Sequence, residues 1–212
     1  MNRRYPMLIA AGLALGFGIA AGVLFWPRSG TLLPPAELAA PLLPEPRTIT
    51  PFQLTAQDGT VLDASRLRGK WSLVFIGYTH CPDVCPTTLN TLAGTAKQLQ
   101  ASPEGLDHTQ FVFVSVDPKR DSPSHLKDYL AFFHPGFLGA TGEREQIDLL
   151  VRQLGAIYMF EGDTSGDSYI VNHSATLYLI DPQGRFYARL QPPHEPAQIA
   201  DLLTRIRRHY ER

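Results

Sequence analysis

Hydrophobic and polar residues follow three successive patterns along the chain. Residues 7–26 form an uncharged, mostly apolar stretch of 20 residues. As a helix rising ~1.5 Å per residue, it would cross the ~30 Å hydrocarbon core of a membrane. Residues 27–47 contain six prolines, a density that predicts a linker with neither helix nor sheet. From residue 48 onward strand-like and helix-like patterns alternate, which predicts one α/β domain over residues 48–212.

Two short apolar runs in this domain have the composition of strands that are buried on both faces of a sheet. They are Trp71–Gly77 and Phe111–Val116. Apolar residues recur at helical spacing in four further segments, which cover residues 89–99, 124–133, 143–154 and 196–210. Asp58-Gly59 and the turn at residues 181–184 each predict a hairpin. The pattern therefore predicts a mixed central sheet flanked by helices, with an added β-hairpin.

The apolar stretch at residues 7–26 is interpreted as a retained transmembrane anchor. Arg3 and Arg4 precede it, which predicts that residues 1–6 are cytoplasmic and that everything after the span is exported. Trp26 is followed by no convincing A-x-A cleavage site. The span begins close to Met1 and leaves no room for an organellar transit peptide. We therefore expect a single-pass protein of the bacterial inner membrane whose C-terminal domain lies on the periplasmic side.

The nearly equal numbers of positive and negative residues argue against one class of binding partner, nucleic acid. The chain has 19 Lys plus Arg against 20 Asp plus Glu, so no large positive field exists to attract nucleic acid. The hydrophobic content of 44% is normal for a chain that buries a core. Nucleic-acid binding is therefore set aside.

The two cysteines of the chain, Cys81 and Cys85, lie directly after one predicted strand and directly before a predicted helix. A helix N-terminus favours a thiolate over a thiol. A structural disulfide is one interpretation, although so small a loop would gain little stability from it. A redox-active dithiol is a second, although such motifs usually have two intervening residues and this one has three. In the third, the two soft thiolates bind copper, particularly Cu(I), and need one more ligand.

Among the seven histidines, His173 is the candidate for that further ligand. It precedes a predicted late strand that, in a thioredoxin-like sheet, runs beside the cysteine loop. His80 neighbours Cys81, but adjacent residues on an extended chain face opposite ways. The other histidines have ordinary explanations at the surface, in a turn or within a helix. By itself, a histidine at the start of a strand is an ordinary residue. His173 becomes a candidate ligand only because the cysteine pair needs a third donor.

With these residues assembled, the chain resembles the Sco/SenC family of copper chaperones, which assemble the copper centre of cytochrome c oxidase. The resemblance extends from Phe52 to the C-terminal helix. Its landmarks are four stretches, namely residues 58–71, 77–86 (GYTHCPDVCP), 114–123 (VSVDPKRDSP) and 172–182. Together these motifs are highly specific, whereas the C-x-x-x-C motif alone is weak.

The resemblance implies a thioredoxin-like fold and one bound copper ion, as Cu(I) or Cu(II). It implies that Cys81 and Cys85 supply thiolates, which are also a redox-active dithiol, and that His173 supplies an imidazole. It also implies a role for Asp117 near the metal or a partner surface. One departure is Asn172, where the family pattern leads us to expect an acidic residue beside the ligand histidine.

Two functions follow from this resemblance. In the first, a membrane-anchored copper chaperone, rather than an enzyme, delivers copper to the copper-binding subunit of cytochrome c oxidase. Another copper chaperone or a thiol–disulfide oxidoreductase is a further expected partner. In the second, a membrane-tethered thiol–disulfide reductase keeps the cysteines of the oxidase copper site reduced. A peroxidase of related fold is not indicated, because the cysteine pair lies between prolines rather than beside a supporting Arg and Thr.

Overall fold

The computed structural model describes residues 35–101 and 105–211. These residues contain an eight-stranded mixed sheet, a separate two-stranded sheet and five helices. The strands are β1 (Leu42–Thr48), β2 (Gln53–Ala56), β3 (Val61–Asp63), β4 (Trp71–Gly77), β5 (Thr109–Ser115), β6 (Leu138–Thr141), β7 (Tyr158–Glu161), β8 (Ile170–His173), β9 (Leu177–Ile180) and β10 (Arg185–Leu190). The helices are α1 (Ala36–Ala39), α2 (Val84–Gln100), α3 (Pro123–Ala131), α4 (Arg144–Leu154) and α5 (Pro196–Tyr210).

The strand order of the main sheet is β1-β10-β9-β4-β5-β6-β2-β3. Strands β4, β5 and β6 are parallel, and β9 pairs antiparallel with β4 on the other side. Strands β7 and β8 form a separate antiparallel hairpin. Because parallel strands end at the same edge of a sheet, the loops after β4 and β5 are neighbours, and such edges commonly carry functional sites.

Two apolar layers cover the sheet because successive strand residues point to opposite faces. Leu73 and Phe75 of β4 pack into one cluster with the buried faces of α2, α3 and α5. Val74 and Ile76 pack into the other cluster with α4 and the β2–β3 hairpin. Every residue of β4 is buried, as the unbroken apolar run predicted. The cysteine loop therefore begins at the end of the most deeply buried part of the sheet.

The predicted linker at residues 27–47 is wrong in its C-terminal part. Residues 36–39 form the short helix α1, and Leu42–Thr48 forms β1, which pairs antiparallel with β10. Two prolines are tolerated in β1 because it is an edge strand whose register is irregular between Leu42 and Arg47. The proline count predicted that no ladder could persist, but it did not allow for an edge strand.

The predicted mixed sheet, flanking helices and Asp58-Gly59 hairpin are confirmed, with element ends shifted by a few residues. The sequence pattern did not predict β1, β6 or the β7–β8 hairpin. Within residues 35–101 and 105–211, no helix is both long enough and apolar enough to cross a membrane. The predicted anchor at residues 7–26 and the predicted cytoplasmic segment at residues 1–6 lie outside the described residues.

Candidate metal centre

The cysteine loop follows β4 and leads directly into α2. Cys81 lies in the loop and is half-buried, whereas Cys85 lies in the first turn of α2 and is fully buried. Both thiols are free. Because one sulfur is accessible and the other is enclosed, the two cysteines differ in reactivity.

His173 meets the cysteines from the other end of the chain. It is the last residue of β8 and precedes β9, which pairs directly with β4. Its Nε2 atom lies 3.3 Å from Cys85 Sγ. The donor atoms of Cys81, Cys85 and His173 all lie within 4.8 Å of one another. The three residues proposed as ligands from the sequence are therefore neighbours in the fold.

Cys81 is held as a thiolate by hydrogen bonds from the Cys85 side chain and from the N-terminus of α2. The backbone N–H of Cys85 donates to Cys81 Sγ at 3.4 Å, whereas the N-cap residue, Asp83, makes no side-chain capping bond. The sulfur thus accepts one of the N–H groups that a helix N-terminus leaves unpaired. Hydrogen bonding from the Cys85 side chain contributes most, and the pKa of Cys81 falls to about 4. Cys81 is therefore a thiolate at neutral pH.

Cys85 has the opposite protonation state. Burial raises the pKa of its thiol far above the ordinary value, and the neighbouring Cys81 sulfur raises it further. The enclosure depends on a glycine at the end of β4, since a Cβ atom at Gly77 would lie 2.6 Å from Cys85 Sγ. Cys85 therefore packs against bare backbone as a neutral thiol that hydrogen-bonds to the Cys81 thiolate.

The His173 ring is oriented by its neighbours. Its Nδ1 atom lies 3.1 Å from the carbonyl oxygen of Ser174, so Nδ1–H donates there and Nε2 carries the lone pair that faces the cysteines. The rings of Phe75 and Tyr78 contact the imidazole edge-on, with centroids at 5.9 and 5.8 Å. This is the orientation that a metal-binding imidazole needs, with one nitrogen fixed by the backbone.

Two sulfurs and one imidazole nitrogen make a soft donor set of the kind that selects Cu(I). The side chains are already gathered, and two of the three residues are partly exposed. The residues present therefore fit a three-coordinate soft metal ion that enters from the surface. They also fit dithiol chemistry, because the same two sulfurs form a thiolate–thiol pair.

Asp117, for which the family resemblance implies a role near the metal or a partner surface, is not one of the gathered donors in the described residues. It is fully buried, it accepts a hydrogen bond from Tyr169 Oη at 2.6 Å, and it forms an ion pair with Arg120. We refer to Asp117, Arg120 and Tyr169 as the Arg120 clamp.

The Arg120 clamp connects to the metal centre through ring contacts. The guanidinium of Arg120 lies 3.6 Å from the ring centroid of Tyr169 and 5.4 Å from that of Tyr78, which contacts His173. Arg120 also donates to the carbonyls of Asp167 and Tyr169, just before β8. The clamp therefore fixes the approach to β8, whose last residue is His173.

Sequence reasoning missed Arg120 and Tyr169 as supports of the site. The turn signal at Asp117-Pro118 was visible, but the partner tyrosine lies 52 residues further on, and no spacing rule connects the two. His80 behaves as predicted, because it is absent from the cysteine donor group and lies instead against Asp121 and His125.

Comparison with known proteins agrees with this geometry. A family model described as SCO1/SenC matches residues 41–208. A putative copper-binding protein of Stutzerimonas stutzeri is 38% identical over 165 residues, which is 78% of this chain and 79% of that protein.

Solved structures of the same family superpose on the chain. The structure of Arabidopsis thaliana ScoI with copper bound is 33% identical, with a TM-score of 0.68, and covers 75% of this chain and 98% of that one. Bradyrhizobium japonicum ScoI with copper bound is 35% identical, with a TM-score of 0.66, and covers 74% and 98%. The predicted thioredoxin-like fold and the predicted resemblance are confirmed. The chain belongs to the SCO1/SenC family.

Proposed function

We propose that this protein is a copper chaperone that holds one copper ion with Cys81, Cys85 and His173 and delivers it to the copper centre of cytochrome c oxidase. The observation that carries the proposal is the convergence of these three donors within 4.8 Å, although His173 lies 88 residues beyond Cys85. The copper-bound structures of the two ScoI relatives support it independently.

The unequal cysteines suggest an order of binding. The Cys81 thiolate, which is half-buried, meets Cu(I) first, because it is charged and accessible. Cys85 then exchanges its proton for a bond to the metal, and that proton passes to solvent. The lone pair of His173 Nε2 needs no proton loss, because its N–H is on Nδ1. Binding two thiolates therefore releases about one proton rather than two at neutral pH.

Release of the copper ion to a partner would depend on the partial exposure of Cys81 and His173. Three donors leave a Cu(I) ion open to a further ligand, so a thiolate of the receiving subunit can join before the first bonds break. Ligand exchange of this kind avoids free copper. The copper-binding subunit of the oxidase is the proposed acceptor.

Anchoring to the membrane is part of the proposal. The apolar residues 7–26, preceded by two arginines, support a single span with the domain exported to the periplasm. There the domain would meet the exported face of a membrane-embedded oxidase. Extraction with detergent but not with carbonate, measured by immunoblotting of bacterial membranes, would agree with this anchor, whereas recovery in the carbonate wash would contradict it.

A second candidate function is thiol–disulfide reduction, and the Cys81 thiolate favours it. Cys81 would attack a disulfide of the partner, forming a mixed disulfide and releasing one partner thiolate. Cys85, after losing its proton, would attack Cys81, forming the Cys81–Cys85 disulfide and releasing the second partner thiolate. This route uses both sulfurs but not the imidazole.

The imidazole therefore separates the two functions. The full-length reduced chain is titrated with Cu(I) against a chromophoric chelator, beside His173→Ala and the control His108→Ala, which removes an exposed histidine. A chaperone loses at least ~100-fold in affinity in His173→Ala, since even outer-shell changes cost roughly 10–100-fold. His108→Ala stays unchanged. Equal affinity in all three proteins, with dithiol exchange intact, would refute the chaperone and support the reductase.

A further inference from the structure

A second group of metal-ligating side chains includes the residue that precedes Cys81. His80 immediately precedes Cys81, Asp121 lies just before α3, and His125 lies in the first turn of α3. One donor atom from each lies within 4.8 Å of the others. Because His80 and Cys81 are adjacent in the chain, the same loop contributes a residue to each of two donor sets.

The three side chains converge on the hydroxyl of Thr79. Thr79 Oγ1 lies 3.1 Å from His80 Nδ1 and 3.1 Å from His125 Nε2, and it donates to Asp121 Oδ1 at 2.5 Å. The two imidazole rings lie 6.1 Å apart between centroids and are tilted by 38°. Each ring therefore already presents one nitrogen toward a common point beside the carboxylate.

Asp121 adds an independent reason to expect a cation at this point. The carboxylate is completely buried, and it accepts hydrogen bonds from the Thr79 backbone N–H at 2.9 Å and from Ser115 Oγ. Within residues 35–101 and 105–211, its only ion-pairing contact is His80 Nδ1 at 3.8 Å. A buried carboxylate is costly without a compensating positive charge. None of the arginines and lysines in the described part of the chain pairs with it, in contrast to Asp117, whose buried charge Arg120 pairs.

Both histidines are exposed, so a cation can reach them from solvent. Two imidazole nitrogens and one carboxylate oxygen form a borderline donor set, which suits Zn²⁺ and Cu²⁺ rather than Cu(I). The Thr79 hydroxyl is a neutral oxygen at the same point. The hydroxyl already donates to Asp121, so each facing imidazole nitrogen now donates its N–H to the hydroxyl. On metal binding each ring would carry its proton on the other nitrogen, and the facing nitrogen would bind the metal.

We propose that His80, Asp121 and His125 form a second metal site, which binds a divalent borderline cation, Cu²⁺ or Zn²⁺. The site is distinct in chemistry from the sulfur site formed by Cys81, Cys85 and His173. Two neighbouring sites on one loop would accept copper in both oxidation states without competing for the same donors.

The test removes the sulfur site and asks whether divalent binding remains. The full-length Cys81→Ser/Cys85→Ser chain is titrated with Cu²⁺ and followed by electron paramagnetic resonance. We expect one Cu²⁺ per chain with hyperfine splitting from two imidazole nitrogens. Zn²⁺ added in excess should displace it.

Three further substitutions are made in this cysteine-free background. His125→Ala should lower Cu²⁺ affinity at least tenfold and remove one nitrogen from the spectrum, whereas the control His108→Ala should change neither. His173→Ala should also leave both unchanged. Retention of the full signal in His125→Ala, or its loss in His173→Ala, would overturn the proposal. Because the cysteines are absent, neither result bears on Cu(I) binding by the sulfur site.

Discussion

The loops after the parallel strands β4 and β5 leave the same edge of the sheet, but one carries an accessible negative charge and the other carries a buried, ion-paired one. The β4 loop presents a half-buried thiolate, Cys81, beside a neutral thiol that has yet to lose its proton. The β5 loop buries Asp117 and satisfies it with Arg120 and Tyr169. The first loop keeps its donors available, whereas the second fixes the hairpin that carries His173. The accessible donors of one loop thus lie beside a loop that buried hydrogen bonds and an ion pair hold in place.

Removing the buried ion pair of the β5 loop should give the largest effect on stability. Arg120→Ala leaves the Asp117 carboxylate buried beside Tyr169 without its ion pair. Removing one partner of a buried pair costs about 3–5 kcal/mol, and urea unfolding of the metal-free protein measures it. Cu(I) affinity should also fall, because the approach to β8 loses its anchor.

Lys119→Ala is the comparison variant, because it removes an exposed cation that also lies 5.7 Å from the Tyr169 ring centroid but leaves the buried ion pair of Asp117 and Arg120 in place. Lys119 is the neighbouring residue and donates to the carbonyls of Thr164, Ser165 and Gly166, but it is exposed. Its loss should cost no more than about 1 kcal/mol. Equal losses in Arg120→Ala and Lys119→Ala would show that the Arg120 clamp has no special role.

Adding a methyl group to Gly77, at the end of β4 beside Cys85, should give the next largest effect on stability. In Gly77→Ala the new Cβ atom would lie 2.6 Å from Cys85 Sγ and 2.9 Å from the ring of Phe113. We expect a loss of about 1–3 kcal/mol in urea unfolding and weaker Cu(I) binding, because Cys85 must move. Gly166→Ala is the control, since its Cβ atom would meet nothing within 4 Å. A Gly77→Ala variant with unaltered stability and affinity would mean that the strand end tolerates displacement.

The charge on Cys81 should appear as a pH dependence of stability in the reduced, metal-free protein, and because the sulfur is only half-buried, solvent screens part of the contribution. The pKa of Cys81 is about 4 when folded, against about 9 for an ordinary thiol. Between these values the unfolded chain binds a proton that the folded one lacks, so the free energy of unfolding rises with pH. The contribution is lost as pH falls through about 4.

Urea midpoints from pH 5 to 8, measured for the native protein and Cys81→Ser, give the contribution of the Cys81 charge to stability. The native protein should gain stability relative to Cys81→Ser as pH increases. Parallel curves would contradict the assignment of a thiolate to Cys81, as would the absence of a low-pH step in thiolate absorbance.

Much of the fold was predictable because its strongest signals are local. The apolar run of β4 and the helical periodicity of α5 each depend on neighbouring residues alone. Strand β1 was missed because tolerance of proline depends on an edge position that only the assembled sheet defines. The β7–β8 hairpin was missed although residues 156–160 and 169–171 are apolar, because each strand has only four residues and the polar and glycine residues 161–168 separate the two apolar runs.

The candidate site was predictable to a different degree. The grouping of Cys81, Cys85 and His173 came from motif resemblance, since no local pattern links residues so far apart. The support by Arg120 and Tyr169 required the packing of two distant loops. The group around Asp121 likewise depends on α3 lying beside the cysteine loop.

X-ray absorption spectroscopy at the copper edge of the full-length protein, loaded with one equivalent of Cu(I), shows directly which atoms bind the copper. We predict two sulfur scatterers and one imidazole nitrogen in the native protein, with the nitrogen lost in His173→Ala and retained in His108→Ala. A two-sulfur spectrum that is identical in all three proteins would contradict the claim that Cys81, Cys85 and His173 bind copper together.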